Sequence, residues 1–142
     1  MPQPKVLIVE DDLLVLHLSS QILRQDGLDV VEAASADEAA DILREDGHGI
    51  AVVFTDIRTP GTLDGMDLAH VVREGWPSIP VVLTSGVVMP IAVALPDKTR
   101  FVPKPYDMSK VSKLITNLAG TWGCKARNLR GADASPPRAE WQ

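Results

Sequence analysis

The sequence is poor in cysteine, in net positive charge and in long apolar stretches. Its 142 residues include one cysteine, Cys124, which cannot form an internal disulfide and fits a reducing cytosol. The net charge of −5 and the pI near 5.1 argue against a nucleic-acid-binding surface, which is normally basic. No stretch approaches the roughly 18 apolar residues of a membrane span, and the N-terminus lacks the apolar run of a signal peptide. These absences predict a cytoplasmic protein that binds neither nucleic acids nor membranes.

The overall composition of the chain fits one globular domain. Apolar residues make up 45% of the chain and charged residues 23%, and the length is sufficient for a sizeable core. We predict that residues 1–120 form this domain. Residues 121–142 mix glycine, proline, serine and charge without periodicity, which predicts a flexible C-terminal tail.

Apolar strands and amphipathic helices alternate along the predicted domain. Short apolar runs predict strands at residues 5–9, 29–34, 50–55, 80–85 and 99–102. Helical periodicity is present at residues 13–27, 35–46, 65–75 and 107–120. This alternation is typical of an α/β fold with a doubly wound parallel sheet, right-handed crossovers and helices on both faces. In the first helix, the residues expected to face the core are Val15, Leu18, Ile22 and Leu23.

The segment between the fourth and fifth strands breaks this alternation. A full helix is expected there, but GVVMPIAVALPDK contains Pro90 and Pro96, and both oppose a regular helix. We therefore expect a shortened or irregular fourth helix. Its apolar residues would either cover the edge of the sheet or form a patch for a partner.

Carboxylates, a hydroxyl and an amine follow the predicted strands at the edge where open α/β sheets bind ligands. The set consists of Glu10, Asp11 and Asp12 after the first strand, Asp56 after the third, Ser85 at the end of the fourth and Lys104 after the fifth. Each alone could cap a helix or neutralise a neighbour. Together, the carboxylates would repel one another without a cation, and Mg²⁺ fits because it accepts a few carboxylates, waters and phosphate oxygens. Asp56 is then a candidate nucleophile for an aspartyl phosphate.

Four motifs carry these residues: VLIVEDD, TDIRTPGTLDG, VVLTSG and FVPKPYD. In their order and spacing, the chain resembles the receiver domain of two-component response regulators, the CheY-like family, over residues 4–119. The resemblance implies a flavodoxin-like five-stranded sheet in the order 2-1-3-4-5. Because only residues 121–142 follow the domain, it also implies a stand-alone response regulator.

The resemblance assigns a role to each site residue. Asp12 is expected to cap the first helix, and Thr84 is less suited than its neighbour to be the switch hydroxyl. The implied site consists of the phosphoacceptor Asp56, the switch hydroxyl of Ser85, the amine of Lys104 and the switch aromatic Phe101, with Glu10, Asp11, Asp56 and the backbone carbonyl of Arg58 as ligands of Mg²⁺.

The family's mechanism follows as an implication of the same resemblance. A sensor histidine kinase or a histidine phosphotransferase presents a phosphohistidine, and the domain catalyses only its own phosphorylation and dephosphorylation. Signalling then proceeds by a conformational switch or by a phosphorelay, and the downstream partner is not specified by the sequence. No cofactor besides Mg²⁺ is implied.

The chain departs from the family pattern at three further places. The loop PGTLDG is one residue longer than usual. Val87, two residues past the switch hydroxyl, cannot orient a water by hydrogen bonding, so we expect a slowly hydrolysing acyl phosphate. The first helix carries extra leucines, Leu13, Leu14 and Leu16, which predict a docking or homodimer surface or a face covered by the tail.

Three other functional classes compete with this prediction. A pseudo-receiver would bind partners without being phosphorylated, and it remains the alternative. A Mg²⁺-dependent phosphohydrolase with an aspartyl nucleophile is disfavoured because the first strand does not end in the D-x-D of that class. A nucleotide-binding or flavin-binding module is disfavoured because no glycine-rich phosphate loop follows the first strand.

Overall fold

The computed structural model describes residues 4–86 and 95–120. Within them, five strands form one parallel sheet: β1 (Lys5–Val9), β2 (Asp29–Ala33), β3 (Ile50–Asp56), β4 (Val81–Ser85) and β5 (Thr99–Pro103). The same residues form four α-helices: α1 (Leu13–Gln25), α2 (Ala36–Asp46), α3 (Gly65–Gly75) and α4 (Met108–Ala119), with a short 3₁₀ turn at Gly47–Gly49. None of these helices is long and apolar enough to cross a membrane.

The strand order is β2-β1-β3-β4-β5, which confirms the predicted flavodoxin-like topology. All neighbours pair in parallel, and β3 lies in the middle. Every residue of β3 and of β4 is buried, as expected for strands covered by helices on both sides. The predicted irregular helix falls mostly on residues 87–94, and the predicted tail on residues 121–142. Both lie outside the described residues, so the irregular helix and the domain boundary stay predictions.

Side-chain alternation along the strands divides the core into two layers. Leu7, Val53 and Leu83 pack on one face of the sheet, together with α2 and α3. Ile8 and Phe54 pack on the other face, together with α1 and α4. Burial of each such side chain contributes roughly 1.5–3 kcal/mol, which makes the two layers the main source of stability.

Short polar side chains fix where the helices begin. Ser35 accepts a hydrogen bond from the backbone N–H of Glu38 (3.1 Å), as the predicted capping box requires. The Glu38 carboxylate accepts from the N–H of Ala34 (3.2 Å), one residue earlier than in the usual box. Asp107 caps α4 as predicted, and hydrogen bonds from Ser109 hold the pKa of its carboxyl below the usual value. Each helix therefore starts at a defined distance from the strand before it.

The face that α1 buries differs from the predicted one. Leu18, expected in the core, is 52% exposed. Leu16, expected at the surface, is 3% exposed, and only Leu23 of the predicted stripe is fully buried. The inward stripe is Leu16, Ser19, Ser20 and Leu23. Hydrophobicity alone could not select this face, because leucines surround the first turns of the helix. The side that packs inward contains two small serines instead.

Candidate functional site

The carboxyl ends of β1, β3, β4 and β5 meet at one edge of the sheet, which we call the rim. Glu10 extends β1 by donating its N–H to the carbonyl of Ala33 on β2 (3.0 Å). Lys104 extends β5 in the same way, through its N–H and the carbonyl of Ser85 (2.9 Å). Asp56 is the last residue of β3. Sheet hydrogen bonds therefore fix the backbone under each of these side chains.

Asp56 and Lys104 form an ion pair at the rim. The Nζ of Lys104 donates to Oδ2 of Asp56 over 2.6 Å. The other oxygen, Oδ1, accepts from the backbone N–H of Arg58 (3.2 Å). Asp56 is buried, with 9% of its surface exposed. The buried carboxylate predicted as the nucleophile is thus compensated by one amine and one amide.

Burial and neighbouring charges shift the pKa values of the ionisable groups at the rim. Burial alone would lower the pKa of the Lys104 amine, but the hydrogen bond and charge of Asp56, together with Glu10, outweigh it and raise that pKa. Burial raises the pKa of the Glu10 carboxyl, and Asp11 and Asp56 raise it further against the opposing effects of the Asp12 N–H and Lys104. The rim therefore keeps a permanent ammonium beside an excess of acid.

The three consecutive acids after β1 have three different environments. Glu10 is buried, and its Oε2 accepts from the N–H of Asp12 (3.1 Å). Asp11 is exposed and lies close enough to Glu10 for their carboxyls to interact. Asp12 caps α1 as predicted, accepting from the N–H groups of Leu14 (3.0 Å) and Val15 (3.3 Å). Asp12 thus serves as the cap of α1, whereas Glu10 and Asp11 interact with each other.

Ser85 and Phe101 lie on the same face of the sheet, whereas Thr84 lies on the other. Leu83 pairs with Phe101 in the sheet register, and Ser85, two residues later, lies on the same face. Phe101 is half-buried and packs against the α2 and α3 layer. Thr84 points to the opposite face, where its hydroxyl is buried without a partner among the described residues. The predicted pair therefore shares one side of the sheet.

The loop from β3 to α3 returns directly to the acceptor strand. The N–H of Gly65 donates to the carbonyl of Ile57 (2.7 Å). A Cβ atom at position 65 would lie 2.3 Å from the backbone oxygen of Asp56, so only glycine permits this approach. The loop therefore begins and ends against the backbone of Asp56, and Arg58, the predicted carbonyl ligand, lies within it.

The donor set fits a hard divalent cation. Glu10, Asp11 and Asp56 offer carboxylate oxygens at adjoining strand ends, and Arg58 offers a backbone carbonyl. Within residues 4–86 and 95–120, no three histidine, cysteine or acidic side chains form a ready-made metal cage. Mg²⁺ does not need one, because it is usually bound by one or two carboxylates together with waters and phosphate oxygens. These oxygen donors are of the type that suits Mg²⁺.

Two residues near the site were missed from the sequence. Tyr106 lies two residues beyond Lys104 and packs edge-to-face on Phe54, with ring centroids 6.0 Å apart. Burial raises the pKa of its hydroxyl, and the rim charges act on it as well. Asp37, on α2, contacts the loop that follows Asp56. The position of Tyr106 near Lys104 in the sequence could have indicated that it lies at the site. For Asp37, the only signal in the sequence is the extra residue in the loop that it contacts.

The fold and the rim define a CheY-like receiver domain, the signalling module of two-component systems. The sequence matches the response regulator receiver domain family over residues 6–116, and the chain therefore belongs to that family.

Related proteins show the same domain in different settings. The chain is 27% identical to an NtrX-like response regulator of Rickettsia conorii over 91% of its own length and 28% of the relative. It is 31% identical to the sensor kinase CckA of Brucella abortus over 80% of its length and 12% of the kinase. The chain thus spans less than a third of the length of each of these relatives.

Solved structures agree on the fold. The receiver domain of the hybrid histidine kinase CckA superposes with a TM-score of 0.69 at 29% identity, covering 81% of this chain and 98% of that domain. The response regulator TrrA of Thermotoga maritima, solved in complex with Mg²⁺ and BeF, superposes with a TM-score of 0.72. Its identity is 18%, covering 81% of this chain and 98% of that one, so it supports the fold alone.

Proposed function

We propose that this chain accepts a phosphoryl group on Asp56 from the phosphohistidine of a sensor histidine kinase or a histidine phosphotransferase. The observation that carries the proposal is the 2.6 Å ion pair between Lys104 and Asp56 at the rim of a receiver fold. This pair supports the proposal because an aspartyl nucleophile needs a nearby cation that can neutralise an incoming phosphoryl group.

The transfer is a substitution at phosphorus. A carboxylate oxygen of Asp56 forms a bond to phosphorus as the bond between phosphorus and the histidine nitrogen breaks. The electron pair of that bond returns to the imidazole, which then takes up a proton. Lys104 stays protonated because the pKa of its amine is raised, and its ammonium moves from Asp56 alone to the charge of the new acyl phosphate. No other group of the protein needs to change its protonation.

Mg²⁺ is part of the proposal. Asp11, Asp56 and the carbonyl of Arg58 would hold it directly, and Glu10 would act through a bound water. When bound, the ion screens the repulsion between the rim carboxylates and the phosphoryl oxygens. The protein's own contribution is to hold these oxygens on backbone that the sheet and the loop keep in place.

Signalling is proposed to run from the rim to the side of the sheet that holds Phe101. The hydroxyl of Ser85 would turn to a phosphoryl oxygen, and Phe101 would occupy the space that becomes available. Both lie on the same face of the sheet, which supports the pairing. The result is a population shift between two packings that is biased by charge at one end.

The setting of the domain completes the proposal. We propose a cytoplasmic regulator or phosphorelay intermediate whose acyl phosphate hydrolyses slowly. Val87, on which the slow hydrolysis depends, lies outside the described residues. The exposed leucines of α1 are proposed as the contact surface for the kinase or for a second copy of the chain.

The decisive experiment is phosphorylation by a small donor. The chain is incubated with acetyl phosphate and Mg²⁺ and examined by intact mass spectrometry. We expect one phosphoryl adduct that disappears when Mg²⁺ is omitted or in Asp56→Asn. Asp41→Asn, which changes an exposed aspartate on α2 in the same way, should retain the adduct.

The outcomes separate the two functional alternatives. An adduct that persists in Asp56→Asn would place the acceptor elsewhere. A wild-type chain that stays unmodified with acetyl phosphate and with a phosphorylated histidine phosphotransferase would support the pseudo-receiver instead.

A further inference from the structure

The loop that follows Asp56 is held by a carboxylate from another helix. Oδ2 of Asp37, on α2, accepts from the backbone N–H of Thr62 (2.8 Å). Oδ1 of the same side chain accepts from the N–H of Leu63 (2.9 Å). Both oxygens of one carboxylate therefore bind two consecutive amides, 25 and 26 residues further along the chain. Hydrogen bonds to an ionised carboxylate are shorter and stronger than those between neutral groups.

The backbone of the loop is shaped around this carboxylate. Gly61 has φ = +105°, a conformation that favours glycine. A Cβ atom there would lie 2.3 Å from Oδ2 of Asp37, so a side chain at position 61 would displace the carboxylate. Thr59 adds a second link to α2, because its hydroxyl accepts from the N–H of Ala36 (3.3 Å) and donates to the carbonyl of Leu63 (3.0 Å).

Capping of α2 does not explain the position of Asp37. Ser35 supplies the cap through the N–H of Glu38. Asp37 is the second residue of the helix, where a negative charge is favourable, but its oxygens are directed to the loop. By the resemblance described above, this loop is one residue longer than expected for the family. The Asp37 contacts lie on this longer stretch, between Arg58 and the start of α3.

The same loop is fixed at both ends against the acceptor. The N–H of Arg58 donates to Oδ1 of Asp56, and the N–H of Gly65 donates to the carbonyl of Ile57. Without Asp37, the part between these two anchors would depend on Thr59 and on the packing of Leu63. The orientation of the Arg58 carbonyl would then be less well defined.

We propose that Asp37 is a positioning residue for the metal and phosphoryl site, which holds the lengthened loop so that the Arg58 carbonyl faces the rim. The inference rests on the proposed function, since it concerns the site that Mg²⁺ would occupy. Asp37 touches neither the metal nor the phosphoryl group and acts through the loop amides. Second-layer contacts of this kind commonly change metal affinity by about tenfold or more.

The test compares Asp37→Asn with Asp41→Asn, an isosteric change of an exposed aspartate one turn further along α2. Mg²⁺ is titrated in the absence of a phosphodonor and followed by amide NMR shifts. We expect Asp37→Asn to weaken Mg²⁺ binding about tenfold, and Asp41→Asn to leave it within about twofold. Hydrogen exchange at the amides of Thr62 and Leu63 should become faster only in Asp37→Asn.

Deletion of Thr62, which shortens the loop to the length that the resemblance implies, provides a second measurement. In that background we expect Asp37→Asn to have less than half of its original effect on Mg²⁺ affinity, because one of the two amides that Asp37 binds is gone. An equal loss of affinity in both backgrounds would contradict the proposal.

Other outcomes distinguish this inference from the proposed function. Faster exchange at the two amides with unchanged Mg²⁺ affinity would overturn it and leave Asp37 with a structural role. A wild-type chain that binds Mg²⁺ but accepts no phosphoryl group would overturn the proposed function, while the affinity comparison would still decide the role of Asp37. A wild-type chain that binds no Mg²⁺ would overturn the inference directly.

Discussion

Helices α1 and α2 cover opposite faces of the same sheet, and they differ in the kinds of side chain that they bury. The inward stripe of α2 is apolar and consists of Ala36, Ala39, Ala40 and Leu43. In α1, two serines are buried while Leu13, Leu14 and Leu18 are more than half exposed. The first helix therefore buries two hydroxyls beside Leu16 and Leu23 and exposes three other leucines, a combination that the hydrophobic effect does not favour. Such an arrangement is explained when the outward face has a partner, and it makes α1 the surface to test for docking.

The largest expected difference in stability is between leucine-to-alanine substitutions on the two helices. Leu43→Ala on α2 removes a fully buried side chain and should lower the free energy of unfolding by about 2–5 kcal/mol. Leu14→Ala on α1 removes a side chain that is 68% exposed and should change it by less than about 0.5 kcal/mol. Urea denaturation of both variants measures the difference. A large loss in Leu14→Ala would mean that another part of the chain covers this leucine, as the tail alternative requires.

A smaller difference in stability is expected when a buried serine on α1 is changed to alanine and a buried alanine on α2 to serine. Ser20 on α1 is fully buried, and its hydroxyl has no partner among the described residues. Ser20→Ala should therefore raise the free energy of unfolding by up to about 1 kcal/mol. Ala40→Ser, the reverse change at a buried site on α2, should lower it by about 1–3 kcal/mol. A loss of stability in Ser20→Ala would show that its hydroxyl has a partner after all, and the contrast between the helices would weaken.

The smallest effect on stability, but the most specific for function, is expected from the exposed leucines together. Leu14→Ser combined with Leu18→Ser should leave the thermal midpoint within a few degrees of the wild type. If the face contacts a second copy, sedimentation of the wild type should show a mass that rises with concentration, and the double variant should stay monomeric. Asp41→Ser on α2 is the matched surface control. A wild type that stays monomeric throughout would leave the kinase as the proposed partner of this face.

The rim could be predicted because each of its residues lies at or just beyond the carboxyl end of a strand. Once the strands are placed, topology alone brings Asp56 and Lys104 to the same edge, although 48 residues separate them. Sequence periodicity failed on α1 because leucines lie all around its first two turns. The stripe that packs inward contains two small serines, and the pattern of hydrophobic residues does not predict it.

Asp37 illustrates a different limit. Its contact joins a helix to a loop 25 residues later through backbone amides, and amides have no sequence signature. The extra residue and the glycine in the loop could indicate an unusual turn. They could not identify the side chain around which the turn is built.

The ion pair at the rim also has a mechanical consequence. Lys104 directly follows β5, the outermost strand, and its side chain reaches past β4 to Asp56 on the middle strand. An outer strand is held by a single ladder of hydrogen bonds, so the ion pair acts as an additional tether between the margin of the sheet and its centre. The strength of that tether depends on the charge at Asp56. Chemistry at one buried oxygen would therefore change how firmly an edge strand is held to the centre of the sheet.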